Sequence, residues 1–120
     1  MYYRTDSRQI ENDRADKEVA EMSKIKVNEQ RAVDEFQELT AIDAPSFGER
    51  QMADRLIVKL KELGFEVEED NAGKHFGGNA GNLYAYLPGD LPGDSVLLSG
   101  HMDTVEPSKG KKGIIGEDGV

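Results

Sequence analysis

The sequence contains no cysteine, which excludes disulfides, thiol nucleophiles and cysteine-ligated zinc. No apolar run is long enough to span a bilayer, and residues 1–30 hold none long enough for a signal-peptide core. A cytoplasmic protein without a membrane partner is therefore expected. Bases are in short supply: 15 Lys and Arg against 24 Asp and Glu leave a formal net charge of −9. Phosphate contacts need a Lys/Arg surface, so this balance speaks against nucleic acid as a partner. Phosphate-binding loops are missing too: Lys74 is followed by His75 rather than Ser or Thr, and no G-x-G-x-x-G occurs. Aromatic residues make up 7% and apolar residues 37% of the 120 positions, enough for a modest core.

Charge divides the chain. Residues 1–26 carry six acids and six bases, so the whole net charge lies in residues 27–120, with 18 acids and nine bases. The first segment has few apolar residues and could bury little, even though Ala15, Val19, Met22 and Lys26 recur at helical spacing. It reads as a dispensable extension, with Met22 the expected natural start and the compact fold occupying 27–120.

Two helices are predicted at the start of that fold. Asn28 is a good N-cap and places Glu29 beside the positive end of the helix dipole. Val33, Phe36 and Leu39 then form an apolar face, and Pro45 requires the helix to stop before it. Ser46-Phe47-Gly48-Glu49 fits a capping box opening a second helix. Its stripe of Met52, Leu56, Leu60 and Leu63 must face a core, and Gly64 suits the left-handed position past its end.

Three short strands are expected next. Phe65 and Val67 alternate with Glu66 and Glu68, as in a half-buried strand. The acids Glu66, Glu68, Glu69 and Asp70 would edge it and discourage strand addition. Leu83–Leu87 is a second strand, with Tyr84 and Tyr86 on one face. Ser95–Gly100 is a third, its Val96-Leu97-Leu98 run suited to a strand covered on both sides. Between the last two, Leu-Pro-Gly-Asp occurs twice in succession at 87–94, which reads as a lengthened turn. Helices followed by strands suggest an α/β or α+β layer fold, with the stripe Met52 to Leu63 packed on the sheet that holds Val96 and Leu98.

Chemistry concentrates after the third strand. If the chain stays extended past Gly100, His101 and Asp103 point to the same face. Carboxyl ends of strands are where sites gather in open α/β sheets. Imidazole is a common zinc ligand, and a nearby carboxylate orients it. Spacing alone also fits a surface hydrogen-bonded pair. His75 lies in a glycine-rich stretch read as a loop, and Lys109, Lys111 and Lys112 read as a solvated loop. Ser46 and Ser99 have no histidine at a sequence-evident spacing, so a serine nucleophile is unsupported.

The run Val96-Leu97-Leu98-Ser99-Gly100-His101-Met102-Asp103-Thr104-Val105 resembles the first metal-site motif of the zinc-dependent exopeptidases. That group includes peptidase T, the glutamate carboxypeptidases, the aminoacylases and the succinyl-diaminopimelate desuccinylases. Asp34–Ser46 is similar to its first helix and turn, and Leu60–Val67 to its second helix running into the first strand. Asp70–Gly73 and Gly77–Leu83 look most like the peptidase T branch. The resemblance covers roughly residues 27–120.

That resemblance implies an α/β fold: the N-terminal portion of a zinc-exopeptidase-like catalytic domain, with two helices packed on a partial mixed sheet. It implies a metallopeptidase that removes N-terminal residues from short peptides and carries two zinc ions when complete. His101 stands where the family has a metal ligand, and Asp103 where it has the carboxylate that supports that ligand. The family's bridging aspartate, glutamate pair, further carboxylate and last histidine follow the matched portion. The chain is accordingly expected to be inactive alone, because catalytic zinc takes three protein ligands and hydrolysis needs a base. A non-catalytic module of the same fold and an aminoacylase-type amide hydrolase are the alternative expectations.

Overall fold

The computed structural model of the chain describes residues 26–117 and 119. Residues 1–25 of the expected extension, with the helical spacing of Ala15, Val19 and Met22, lie outside the described residues. Residues 33–120 group into one unit, and the packing below is that unit's. No helix among the described residues is long and apolar enough to cross a membrane.

Helix α1 spans Glu29–Thr40. Asn28 caps it as expected, its Oδ1 accepting the Arg31 N–H at 3.0 Å. The face of Val33, Phe36 and Leu39 is only partly covered: Val33 and Leu39 are half-buried and Phe36 is exposed. Helix α2 spans Arg50–Glu62. It ends in a Schellman motif, with Gly64 at φ +90°. The Gly64 N–H donates to the Lys61 carbonyl and the Phe65 N–H to the Leu60 carbonyl, both at 3.0 Å.

The start of α2 differs from the capping box. Its first helical residue is Arg50 rather than Phe47. The Arg50 N–H donates to Asn79 Oδ1 at 2.9 Å, so the cap comes from a distant loop. Glu49 does reach back, but to the Phe47 N–H at 2.6 Å. Ser46 contributes nothing to the helix, because its hydroxyl is engaged elsewhere.

Strands β1 (Glu66–Glu69) and β2 (Leu83–Tyr86) pair antiparallel, with Val67 opposite Ala85 and Glu69 opposite Leu83. Those four residues share the face toward α2, while Glu66, Glu68, Tyr84 and Tyr86 take the other. Between the strands, where the glycine-rich sequence predicts a loop, lies a short helix: α3, Ala72–Phe76, closed by Gly77 at φ +75°. Asp70 pins this connection. Its carboxylate accepts the Ala72 and Asn82 N–H groups at 2.9 and 2.8 Å, Asn82 Nδ2 at 2.9 Å and the Tyr84 hydroxyl at 3.3 Å. These donors hold the Asp70 carboxyl down at about 2, the Ala72 N–H contributing most. Glycine is required here, since a Cβ on Gly81 would stand 2.0 Å from the Asp70 carbonyl oxygen.

The mixed α/β class stands, but the sheet does not have the expected form. It is two-stranded and antiparallel, not mixed, and of the two long helices α2 is the one that packs on it. Helix α1 meets α2 through ion pairs instead: Lys59 Nζ lies 2.7 Å from both Glu35 and Glu38, and Arg55 also binds Glu38. The expected third strand is not formed. Residues 95–100 have no ladder partner among the described residues, and Val96, Leu97 and Leu98 are 86%, 91% and 88% exposed. A strand of that composition is stabilised by neighbours on both edges and cover on both faces, and the described residues provide neither. The α2 stripe therefore packs on β1 and β2 without Val96 or Leu98. It is buried at Met52, half-buried at Leu56 and Leu60, and exposed at Leu63. Among the described residues the small apolar core consists of Ala44, Met52 and Ala53.

Candidate functional site

Residues 97–103 run along one side of a cleft of about 920 Å³ whose other walls come from α2, α3 and β2. Leu56, Leu60, Phe76 and Leu83 give the far walls an apolar character, and His101, Asp103 and Ser46 supply polar groups.

The segment from His101 to Thr104 is held by the turn after α1. The Thr104 N–H and Oγ1 both donate to the carbonyl of the buried Ala44, at 2.8 and 3.1 Å. Two residues along, Ser46 Oγ donates to Asp103 Oδ2 at 2.7 Å. Ser46 sits in a tight turn closed by the Gly48 N–H donating to the Pro45 carbonyl at 2.8 Å. The third residue of that turn, Phe47, has φ +68°, a left-handed conformation that residues with a Cβ rarely adopt. The turn is braced there from two sides. Glu49 binds the Phe47 N–H, and the Asn79 N–H donates to the Phe47 carbonyl at 3.2 Å.

His101 and Asp103 come together, as the alternating faces of an extended segment would place them. His101 Nδ1 lies 3.8 Å from Asp103 Oδ1, an ion pair only when the imidazole is protonated. His101 is 94% exposed, whereas Asp103 is 38% exposed and anchored through its second oxygen. His75 is exposed on α3 and does not line the cleft. Lys109 and Lys112 are exposed, while Lys111 is half-buried, in a stretch without helix or strand.

Zinc would need more than this pair. Catalytic zinc has three protein ligands, and no group of three or more His, Cys, Asp or Glu able to hold a metal forms among the described residues. The described donors do not make a zinc site by themselves. What they make is an imidazole beside a carboxylate that Ser46 holds, on the wall of a partly apolar cleft. Two parts of this arrangement have no clear signal in the sequence: the Ser46–Asp103 contact, because the capping-box pattern assigns Ser46 to the helix, and the Ala44–Thr104 clamp, which joins distant residues.

No protein-family model matches the chain, and no solved structure matches it. The chain is 38% identical over 89 residues to Uncharacterized protein YqjE of Bacillus subtilis (strain 168), a match that takes in 74% of this chain. It spans only about a quarter, 24%, of the length of that relative.

Proposed function

We propose that the chain is a segment of a zinc-dependent, peptidase T-like exopeptidase acting on short peptides, and that it has no turnover of its own. The observation that carries this reading is the His101–Asp103 pair, 3.8 Å apart on the wall of the cleft and braced by Ser46. In this reading His101 binds metal and Asp103 orients it, a carboxylate–histidine arrangement common around zinc. The remaining ligands and the general base come from polypeptide outside this chain. That requirement agrees with a chain spanning 24% of its relative. Zinc held by His101 in a complete site would lower the pKa of a coordinated water to about 7.

A second reading, a non-catalytic module of the same fold, is favoured by the missing third ligand among the described residues. Aminoacylase-type hydrolysis is the neighbouring alternative within the enzyme class. The test is a tripeptide hydrolysis assay with zinc on the 120-residue chain and on a longer reading frame that contains it. The longer protein is expected to turn over and to lose most activity in His101→Ala, while the chain alone stays inactive. Turnover by the isolated chain, or full activity of the longer His101→Ala protein, overturns the proposal. A longer protein that binds no zinc supports the module.

A further inference from the structure

We infer that Ser46 is a positioning residue: its hydroxyl sets the Asp103 carboxylate so that the other oxygen faces His101. The inference rests on the reading of His101 and Asp103 as a functional pair. Three observations carry it.

First, the contact is specific in direction. Ser46 Oγ donates to Oδ2 at 2.7 Å, and Oδ1 is left as the oxygen nearest His101 Nδ1, at 3.8 Å. A carboxylate on an extended segment rotates freely about its side-chain bonds unless a donor fixes one oxygen. A hydrogen bond from a hydroxyl to an ionised group is among the stronger ones.

Second, the backbone of Ser46 is itself held. The Thr104 amide and hydroxyl converge on the Ala44 carbonyl, so residues 44–46 and 103–104 are tied at two neighbouring points. The Pro45–Gly48 turn fixes the far side, and a Cβ on Gly48 would meet Pro45 Cγ at 2.9 Å.

Third, the local sequence preference is overridden. Ser46 with Glu49 is a capping-box pattern, yet the serine leaves the helix and Asn79 caps Arg50 in its place. The turn that redirects Ser46 places Phe47 at φ +68°. Local rules broken together, with compensation from a distant residue, are expected at functional positions rather than in ordinary scaffold. Helix capping alone needs neither the strained Phe47 nor the distant Asn79.

The experiment is NMR on the 120-residue chain, without metal and at a pH well above the imidazole range. It compares the wild type with Ser46→Ala, Ser46→Thr and Asp103→Asn. The readouts are the Asp103 χ1 couplings and the ¹⁵N shifts that report the His101 tautomer. In the wild type, Asp103 is expected in one rotamer, with the Nδ1–H tautomer enriched by the facing carboxylate. Ser46→Ala should average the Asp103 rotamers. It should also lower the Nδ1–H to Nε2–H ratio by about twofold, the order of effect for an exposed charge acting on a dipole across roughly 4 Å. Ser46→Thr keeps the hydroxyl and should restore both signals, and Asp103→Asn should change the tautomer ratio as Ser46→Ala does. A purely structural serine would leave the tautomer unmoved while the amide spectrum shifted. An unchanged Asp103 rotamer and tautomer ratio in Ser46→Ala, or no recovery in Ser46→Thr, overturns the inference. Neither readout needs metal or turnover, so failure of the peptidase reading in its own assay is seen separately.

Discussion

Between Arg50 and Tyr86 the chain forms both strands and two of its three helices among the described residues; between Leu87 and Glu117 it forms neither helix nor strand. Apolar content does not explain the contrast, because the later region holds Val96, Leu97, Leu98, Val105, Ile114 and Ile115, all exposed. The difference lies in partners. The earlier region closes on itself: Arg50 binds Glu69 and Asp54, Asn79 caps Arg50, Glu69 takes the Gly81 N–H, and Asp70 gathers the connection between the strands. The later region is tied to residues 37–46 instead, through Gln37–Gly113, Asp43–Gly110, Ala44–Thr104 and Ser46–Asp103. Hydrophobic sequence specifies a strand only where neighbours complete its ladder and cover its faces.

The comparison breaks most readily at Gly81. A methyl group there would lie 2.0 Å from the Asp70 carbonyl oxygen, a backbone atom that cannot step aside without opening the connection between β1 and β2. Gly81→Ala is expected to destabilise the chain by roughly 2–4 kcal/mol, in the range of mutations that force backbone strain. Urea denaturation followed by circular dichroism measures it. A midpoint equal to the wild type would show that the connection is not a cooperative part of the fold.

Acid sharpens the comparison next. Asp70 falls from its ordinary 3.8 to about 2 in the fold, and Glu38 from 4.5 to about 2 through Arg55 and Lys59. Both groups bind fewer protons folded than unfolded in the interval between those values. Their contribution is therefore present above the unfolded pKa and is lost as pH falls from about 4 toward about 2. Both residues are half-buried and still in contact with solvent, so salt should weaken the effect. Asp70→Asn should flatten the acid limb of the stability curve measured by thermal melts. An acid limb as steep in Asp70→Asn as in the wild type would remove Asp70 from the explanation.

Local punctuation was readable before the fold: Asn28 as a cap, Gly64 as a helix end and Val67 between outward glutamates all stand as their chemistry suggests. The juxtaposition of His101 and Asp103 was readable too, since it needs only extended backbone between them. What sequence could not convey was allocation among distant partners. Ser46 could cap a helix or bind a carboxylate, and only the fold brings Asp103 within reach. Helix α3 carries no periodic signal, being five residues built around Gly73, Lys74 and His75. Val96-Leu97-Leu98 has the composition of an interior strand, but composition cannot supply the neighbouring strands.

The smallest expected effect is the most informative about that last point. Leu97 is 91% exposed and outside any ladder, so it buries little surface to lose. Leu97→Ser is expected to change the stability of this chain by no more than about 0.5 kcal/mol, as for other surface substitutions. Hydrogen exchange should agree, with the amides of residues 96–99 exchanging near the intrinsic rate and those of Glu66–Glu69 protected by the β1–β2 pairing. If the run is an interior strand in a longer protein, the same substitution there removes a buried leucine. It should then destabilise that protein by roughly 2–5 kcal/mol, since a polar group replaces packed methyls. The ratio of the two effects measures how much of the later region's structure is supplied by polypeptide outside this chain. Strong exchange protection at residues 96–99 in the 120-residue chain, or a large loss there from Leu97→Ser, would show that the run already has its partners.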